Sequence, residues 1–409
     1  MSGETPPANR RNHHATVLLI YLIAAILFMG FLGYPFITKV LKNPCSSGET
    51  GIIPLAVLGD SDSHSYHDTI SFKNPLERGG KFCSITFQWT EVLARLRNNQ
   101  IDQGPWGVWG SKRGLIAELR SAIGIEGRAP KKLDFQYNFA VSGAGCADLV
   151  EGYSRQTQRL LYVMKKNPRI WQNGLIVIRI GINSIGQTRQ LERYAEEGFT
   201  AAARESILKP INYVQLAVLM IRKDFPTVRI VLVGDLDDSD WAPNLSKWHS
   251  ARQLTGIHAA LDFYDSGLRL IVGSDKYSAF SDDRKWFRDL WGGRDSLGIP
   301  AYKTVTLGGT FPVSNSQGDD PHNNVVGDGH AGTVWNGLWA ANLIKLVNRE
   351  FGMNITPIAD DEILGLIKDL NKTGLDYSSD GNSFSSKSSG VKSSILSGKS
   401  LCKAQRAHL

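Results

Sequence analysis

An α/β fold, a three-layer α/β/α sandwich around a parallel sheet of about five strands, is what this sequence predicts, and three observations predict it. Short aliphatic runs at residues 52–58, 175–180 and 228–233 alternate with longer segments of helical spacing. Such alternation marks strands joined by crossover helices. The runs are nearly continuous, as strands covered on both faces require. Each run closes on Gly and polar residues: Gly59-Asp60-Ser61, Gly181-Ile182-Asn183, Gly234-Asp235. Turns at the carboxyl ends of parallel strands are where open α/β sheets build their sites.

In chain order, residues 1–14 are a polar leader and residues 15–38 carry no charge. Crossing a hydrocarbon core takes about twenty apolar residues, so 15–38 is expected to be a transmembrane anchor, with a cleaved signal segment as the alternative. Arg10 and Arg11 precede the span, Lys39 and Lys42 follow it, and the orientation stays open. An extracytoplasmic body is the usual outcome for one such span. Residues 39–51 are a linker, and 52–370 the folded domain.

The first strand ends at Gly59. Residues 68–84, polar and Gly-containing, predict an inserted loop. Residues 89–97 predict a helix, with Thr90 as N-cap and Val92, Leu93 and Leu96 on one face. Residues 104–110 predict a loop. Its Trp106 and Trp109 either face a sugar or acyl group or pack the loop on the body. Residues 134–141 alternate as a second strand and end in Ser142-Gly143-Ala144-Gly145. A helix over about 148–165, the strand 175–180, a helix over 205–223 and the strand 228–233 follow. Residues 246–291 read as helical pieces and 303–307 as a fifth strand. A polar loop runs to His330, and Thr333–Phe351 is a closing helix with Gly352 as its stop. The segment 371–409, rich in Ser and Lys, predicts a flexible tail.

The net charge of +7 sits at the two ends: +3 in residues 1–44 and +4 in 371–409, which leaves a neutral body. A neutral body lacks the basic footprint of a nucleic-acid binder. Cys45, Cys83, Cys146 and Cys402 show no zinc or redox spacing. Cys45 and Cys83 suit a disulfide if the body is exported; otherwise the four are unpaired thiols.

Gly59-Asp60-Ser61, Ser142-Gly143, Gly181-Ile182-Asn183 and Asp328-Gly329-His330 occur in this order, the first three each just after an expected strand. Together they resemble the blocks of the SGNH hydrolases, the GDSL-type esterases, over residues 52–351. The resemblance implies Ser61 as nucleophile and His330 as base. It also implies an oxyanion hole made by the Ser61 N–H, the Gly143 N–H and the Asn183 amide. The chemistry agrees. A serine hydroxyl attacks only when a base takes its proton. Each preorganised donor to the oxyanion is worth roughly 3–4 kcal/mol in favourable cases. The family's last block is Asp-x-x-His; here Asp328 stands one residue too near. Asp319-Asp320-Pro321-His322 has the usual spacing, yet His330 directly precedes the final helix, where that histidine belongs.

Asp60 belongs to the motif without an evident role. Asp62, His64 and His67 crowd Ser61 and either shape the pocket or bind a metal. Asp62-Ser63-His64 and Gly234-Asp235 are similar to two metallophosphoesterase motifs, but that family's Gly-Asn-His block is absent. The expectation is a serine esterase needing no cofactor or metal, acting on an ester such as an acylated carbohydrate. An O-acyltransferase, a metal-dependent phosphoesterase and a non-catalytic binding module on the same fold are the alternatives.

Overall fold

A computed structural model describes residues 51–368 apart from 75, 113, 124–126 and 296. The leader, the span 15–38, the linker up to residue 50 and the tail 371–409 lie outside the described residues. Among the described residues no helix is long and apolar enough to cross a membrane. Cys83 is disulfide-bonded and Cys146 is a buried free thiol; Cys45 and Cys402 lie outside the described residues.

The chain forms β1 (Ile53–Gly59), β2 (Ile101–Asp102), β3 (Trp106–Trp109), β4 (Lys132–Phe135), β5 (Leu175–Arg179), β6 (Arg229–Val233) and β7 (Ser278–Ser281). The main sheet has the order β2-β1-β5-β6-β7, and every neighbouring pair is parallel. After β1 the chain turns to β2 on one side and later returns to β5 on the other. The crevice between the carboxyl ends of β1 and β5 is therefore the topological switch point, where such sheets bind ligands.

Strand period puts alternate residues on opposite faces. Ala56, Leu58, Ile176, Ile178, Ile230 and Leu232 face one core, shared with the helices Gln156–Lys166, Ala201–Asp224 and Ala251–Val272. Leu55, Val57, Leu175, Val177, Val231 and Val233 face the other, shared with Trp89–Leu96, Asp283–Trp291 and Thr333–Phe351. Both faces are dry, which is why the sequence runs are continuously aliphatic. Each fully buried aliphatic side chain contributes about 1.5–3 kcal/mol. The second core is heavy with indoles: Trp89 packs on Trp339 at 4.9 Å, and Trp286 on Trp335 at 5.0 Å.

Five expectations change. The helix expected over about 148–165 begins only at Gln156, after a separate helical turn at Cys146–Leu149. The fifth strand of the sheet is β7, inside the stretch expected to be helical; Phe280 and Ala279 suffice for an edge. Residues 303–307 instead contribute β10 (Val305–Leu307), which follows the hairpin strands β8 (Gly292–Arg294) and β9 (Pro300–Tyr302). It pairs antiparallel with β11 (Phe311–Gln317), which pairs with β12 (Asn323–Val325). Residues 106–109 are not loop but β3, antiparallel to β4; Trp109 Nε1 donates to the Asp134 carbonyl at 3.0 Å and Trp106 packs edge-on against Phe135. Of 134–141 only Asp134 and Phe135 are regular strand, the end of β4. The second half of that stretch runs beside β1, with Phe139 N donating to Val57 O at 2.8 Å and Val141 N to Gly59 O at 3.0 Å. The helix Trp89–Leu96 is capped by Gln88, in a box with Glu91, rather than by Thr90.

Gly59 cannot carry a side chain. A Cβ there would stand 2.5 Å from the Arg179 carbonyl oxygen and 3.3 Å from the Ser63 side chain. The obstacle is backbone of the neighbouring strand and cannot rotate away. Gly59→Ala is expected to lower stability by about 1–3 kcal/mol in urea unfolding, the usual cost of overpacking. An unchanged midpoint would show that β1 and β5 separate freely.

Candidate active site

Beyond Gly59 the chain makes one helical turn: Ser63 N and His64 N both donate to Asp60 O, at 3.2 and 3.0 Å. Ser61 rides on that turn. The Asp60 carboxylate closes it by accepting Asp62 N at 2.9 Å, an Asx turn. The turn is held from outside as well. Gln88 Nε2 donates to Ser61 O at 3.1 Å, Trp89 Nε1 to Asp62 O at 3.0 Å and Arg179 Nη1 to Asp62 O at 2.6 Å. Asp60 is buried, and burial together with the charge of Asp62 pushes its carboxyl up to about 8 against the hydrogen bonds it accepts.

The second and third blocks meet beside it. Val141, bonded to Gly59, leads into Ser142 and Gly143, and Gly143 has φ +82°, a conformation that favours glycine. No atom stands within 4 Å of the place a Gly143 Cβ would take. Asn183 lies in the helical turn Ile182–Gly186 just after β5. Its Nδ2 donates to Ala144 O at 2.9 Å, which ties the two blocks, and its Oδ1 accepts Gln187 Nε2 at 2.8 Å. Among the described residues the other amide proton of Asn183 has no acceptor. Among the described residues the N–H groups of Ser61 and Gly143 have no acceptor.

His330 stands just before the helix Thr333–Phe351. Gly329, at φ +93°, folds the chain back, so the short Asp-x-His spacing still joins the side chains: His330 Nδ1 lies 3.2 Å from Asp328 Oδ1. Asp328 Oδ2 is ion-paired with Arg78, whose guanidinium lies over the Phe72 and Tyr66 rings at 4.5 and 5.5 Å. Burial alone would raise the Asp328 carboxyl. The hydrogen bond and charge of His330, with the charge of Arg78, bring it below the ordinary value. Trp241 Nε1 pins the Gly329 carbonyl at 2.7 Å, and Tyr66 Oη pins that of Ala331 at 3.0 Å. His322 is elsewhere: it stacks on Phe311 at 4.0 Å with Nδ1 2.6 Å from Pro312 O, while Asp319 accepts Gly327 N.

Ser61, Asn183 and His330 line one cavity of about 190 Å³, walled by Trp241, Trp335 and Asp238. Gly143 is not in its lining; it reaches the site through Ala144 and Asn183. Asp62 also lines the cavity, whereas the two nearby histidines turn to separate carboxylates: His64 to Asp68 and His67 to Glu91, each at 2.8 Å. Among the described residues no three His, Cys, Asp or Glu side chains gather as a metal site would need. Reasoning from sequence missed Arg78, Trp241, Trp335 and Asp238. From sequence, residues 68–84 read only as an inserted loop, and Arg78 comes from it.

The raised Asp60 acid gives a test with a definite sign. The unfolded chain loses this proton near pH 4, while the folded chain keeps it until about pH 8. Folding stability therefore falls as pH rises through that window. Asp60→Asn keeps an acceptor for Asp62 N and cannot ionise. Its melting temperature relative to the parent is expected to climb from pH 4 to pH 8; a difference that stays flat would show that Asp60 ionises normally.

The chain matches no protein-family model and no curated protein. Among solved structures it aligns with an extracellular lipase of Streptomyces rimosus at 16% identity and TM-score 0.33, covering 64% of this chain and 91% of that one. A GDSL-like lipase, so described, of Parabacteroides merdae aligns at 14% identity and TM-score 0.34, over 74% of this chain and 96% of that one. A phospholipase A1 of Streptomyces albidoflavus aligns at 13% identity and TM-score 0.27, over 58% and 81%. At these TM-scores the alignments bear on none of the site's residues.

Proposed function

We propose that the protein is a serine esterase of the SGNH type. The reading is carried by one observation: Ser61, Asn183 and His330, from three separate turns, line a single cavity, and His330 Nδ1 is bonded to Asp328. In this reading Ser61 Oγ attacks the ester carbonyl while His330 takes its proton. The bond to the leaving alcohol breaks as His330 returns the proton to that oxygen, and water then hydrolyses the acyl-enzyme through the same histidine. The oxyanion is met by the N–H groups of Ser61 and Gly143 and the free amide proton of Asn183, which carry no charge and need no reorganisation. Asp328 orients His330 and stabilises its imidazolium, and Arg78 holds Asp328.

The cavity is smaller than the roughly 300–1,000 Å³ usual for drug-sized ligands, which favours a short acyl group, acetyl first. Indole walls suit the face of an acylated carbohydrate on the alcohol side. The apolar segment 15–38 would tether the body to a membrane with the site outside.

With a small acetyl ester, Ser61→Ala and His330→Ala are each expected to lower kcat by about a thousandfold or more, as members of a nucleophile–base unit do. Fluorophosphonate labelling should vanish in Ser61→Ala, and His322→Ala should stay near the parent value. Labelling that survives Ser61→Ala, or a loss confined to His322→Ala, overturns the assignment. Arg78→Gln is expected to cost about tenfold in kcat with little change in KM, since it frees the acid that orients the base. A parental kcat in that variant would remove Arg78 from the site.

A further inference from the structure

His64 lies three residues beyond Ser61, and its backbone N–H is bonded to Asp60 O as part of the nucleophile turn. Its ring reaches the other way. Nδ1 accepts the Ser142 backbone N–H at 3.2 Å and lies 3.0 Å from Ser142 Oγ. Because a backbone N–H donates to Nδ1, that nitrogen carries no proton, so Nε2–H donates to Asp68 Oδ2 at 2.8 Å. Asp68 is fully buried and fixed in turn, with Oδ1 accepting the N–H groups of Ile70, Ser71 and Leu133 at 2.9, 3.1 and 2.9 Å. Phe72 covers the ring at 4.9 Å.

Ser142, His64 and Asp68 thus repeat the Ser-His-Asp chain of the catalytic assignment. Two roles fit these residue types, a second nucleophile at Ser142 or a structural clamp. Burial decides between them. A base must become imidazolium during attack, and His64 is 1% exposed. Burial first, then the charge of Lys132, holds its proton affinity below the ordinary value despite Asp68 and Asp134. The ring is built to remain a neutral acceptor.

What the clamp holds is the residue directly before Gly143. We propose that His64 is a positioning residue that sets the distance between the two backbone donors of the oxyanion hole, the N–H of Ser61 on its own turn and the N–H of Gly143 beyond Ser142. The inference rests on the esterase reading and deepens it. Val141 is bonded to Gly59 and Ala144 to Asn183, but between them no atom stands within 4 Å of the place a Gly143 Cβ would take. Ala144 N closes the turn on Val141 O at 2.9 Å, and the imidazole bond to Ser142 N ties the other side of the donor to the nucleophile turn. Small errors of placement at such a donor are costly because its whole effect is geometric.

The experiment uses the full chain, an acetyl ester, and a trifluoromethyl ketone that adds to a serine as a tetrahedral oxyanion. His64→Ala is expected to lose about 10- to 100-fold in kcat and a similar factor in ketone affinity, with KM changed less than about threefold. His64→Asn, which places an amide oxygen near the position of Nδ1, should recover most of both. Fluorophosphonate should mark Ser61 and leave Ser142 unmarked, also in Ser61→Ala. If His64→Ala fails to fold, Asp68→Asn carries the test: it keeps the shape, loosens the ring and should show the same paired loss at about tenfold. A folded His64→Ala with parental kcat and ketone affinity, or a phosphonylated Ser142, overturns the inference. A parent chain with no activity and no label at Ser61 instead sinks the esterase reading, so the two failures are told apart.

Discussion

One backbone carbonyl carries more of this site than any catalytic group. Gly59 O, the last of β1, accepts Val141 N at 3.0 Å and Gln156 Nε2 at 2.8 Å, while Gly59 N donates to Gln156 Oε1 at 2.7 Å. The strand that delivers Ser61, the segment that delivers Gly143 and the helix Gln156–Lys166 meet there. A parallel sheet spaces its strands by the ladder alone, at about 4.8 Å. It fixes strand ends but not the turns beyond them. The glutamine and the irregular segment supply what the ladder lacks, and the contact with Arg179 O allows no side chain in the way. The glycine of Gly-Asp-Ser is thus a packing requirement between strands before it is a turn residue.

The turns beyond the strands are held by buried polar groups, and these carry a cost. Arg78, Asp68, Asp134 and Lys132 are all withdrawn from water, and each is matched: Arg78 with Asp328, Asp68 with His64 and Lys132 with Asp134 at 2.9 Å. Replacing such pairs by apolar residues is often neutral for stability, whereas removing one partner typically costs about 3–5 kcal/mol. Their value here is geometric. Asp134 also accepts Ser65 Oγ and Asn138 Nδ2, at 2.6 and 3.2 Å, so the network joins the nucleophile turn to the segment leading to Gly143. An apolar filling would pack the same volume without fixing either.

What the sequence made legible follows from what each feature depends on. The strands at β1, β5 and β6 and the helix Thr333–Phe351 are written in local pattern, because both faces of the sheet are dry and the helix carries its own stop. β7 was not legible: a four-residue edge strand needs few aliphatics, and its neighbours are strongly helical. Ser61, Asn183 and His330 could be singled out because each follows a strand or precedes a helix in a fixed way, and the fold brings the three to one cavity. Arg78 was out of reach, since its partner lies 250 residues downstream in a loop. The Asp328–His330 spacing is one residue short of the family's, and the left-handed turn at Gly329 shows how the two side chains still meet. His64 could be seen crowding Ser61 but not turning toward Ser142, 78 residues away.

The same three residue types therefore occur twice within one site and receive different work from their surroundings. His330 is 25% exposed, opens on the cavity and has an anionic partner; His64 is sealed under Phe72 with both ring nitrogens engaged. Protonation is penalised for the buried one, because a charge without water must be met by fixed dipoles or not formed. Read only as a list of contacts, Ser142, His64 and Asp68 would count as an active centre. Solvation separates the two histidines: His330 keeps access to the cavity, and His64 is held between Ser142 and Asp68 without water.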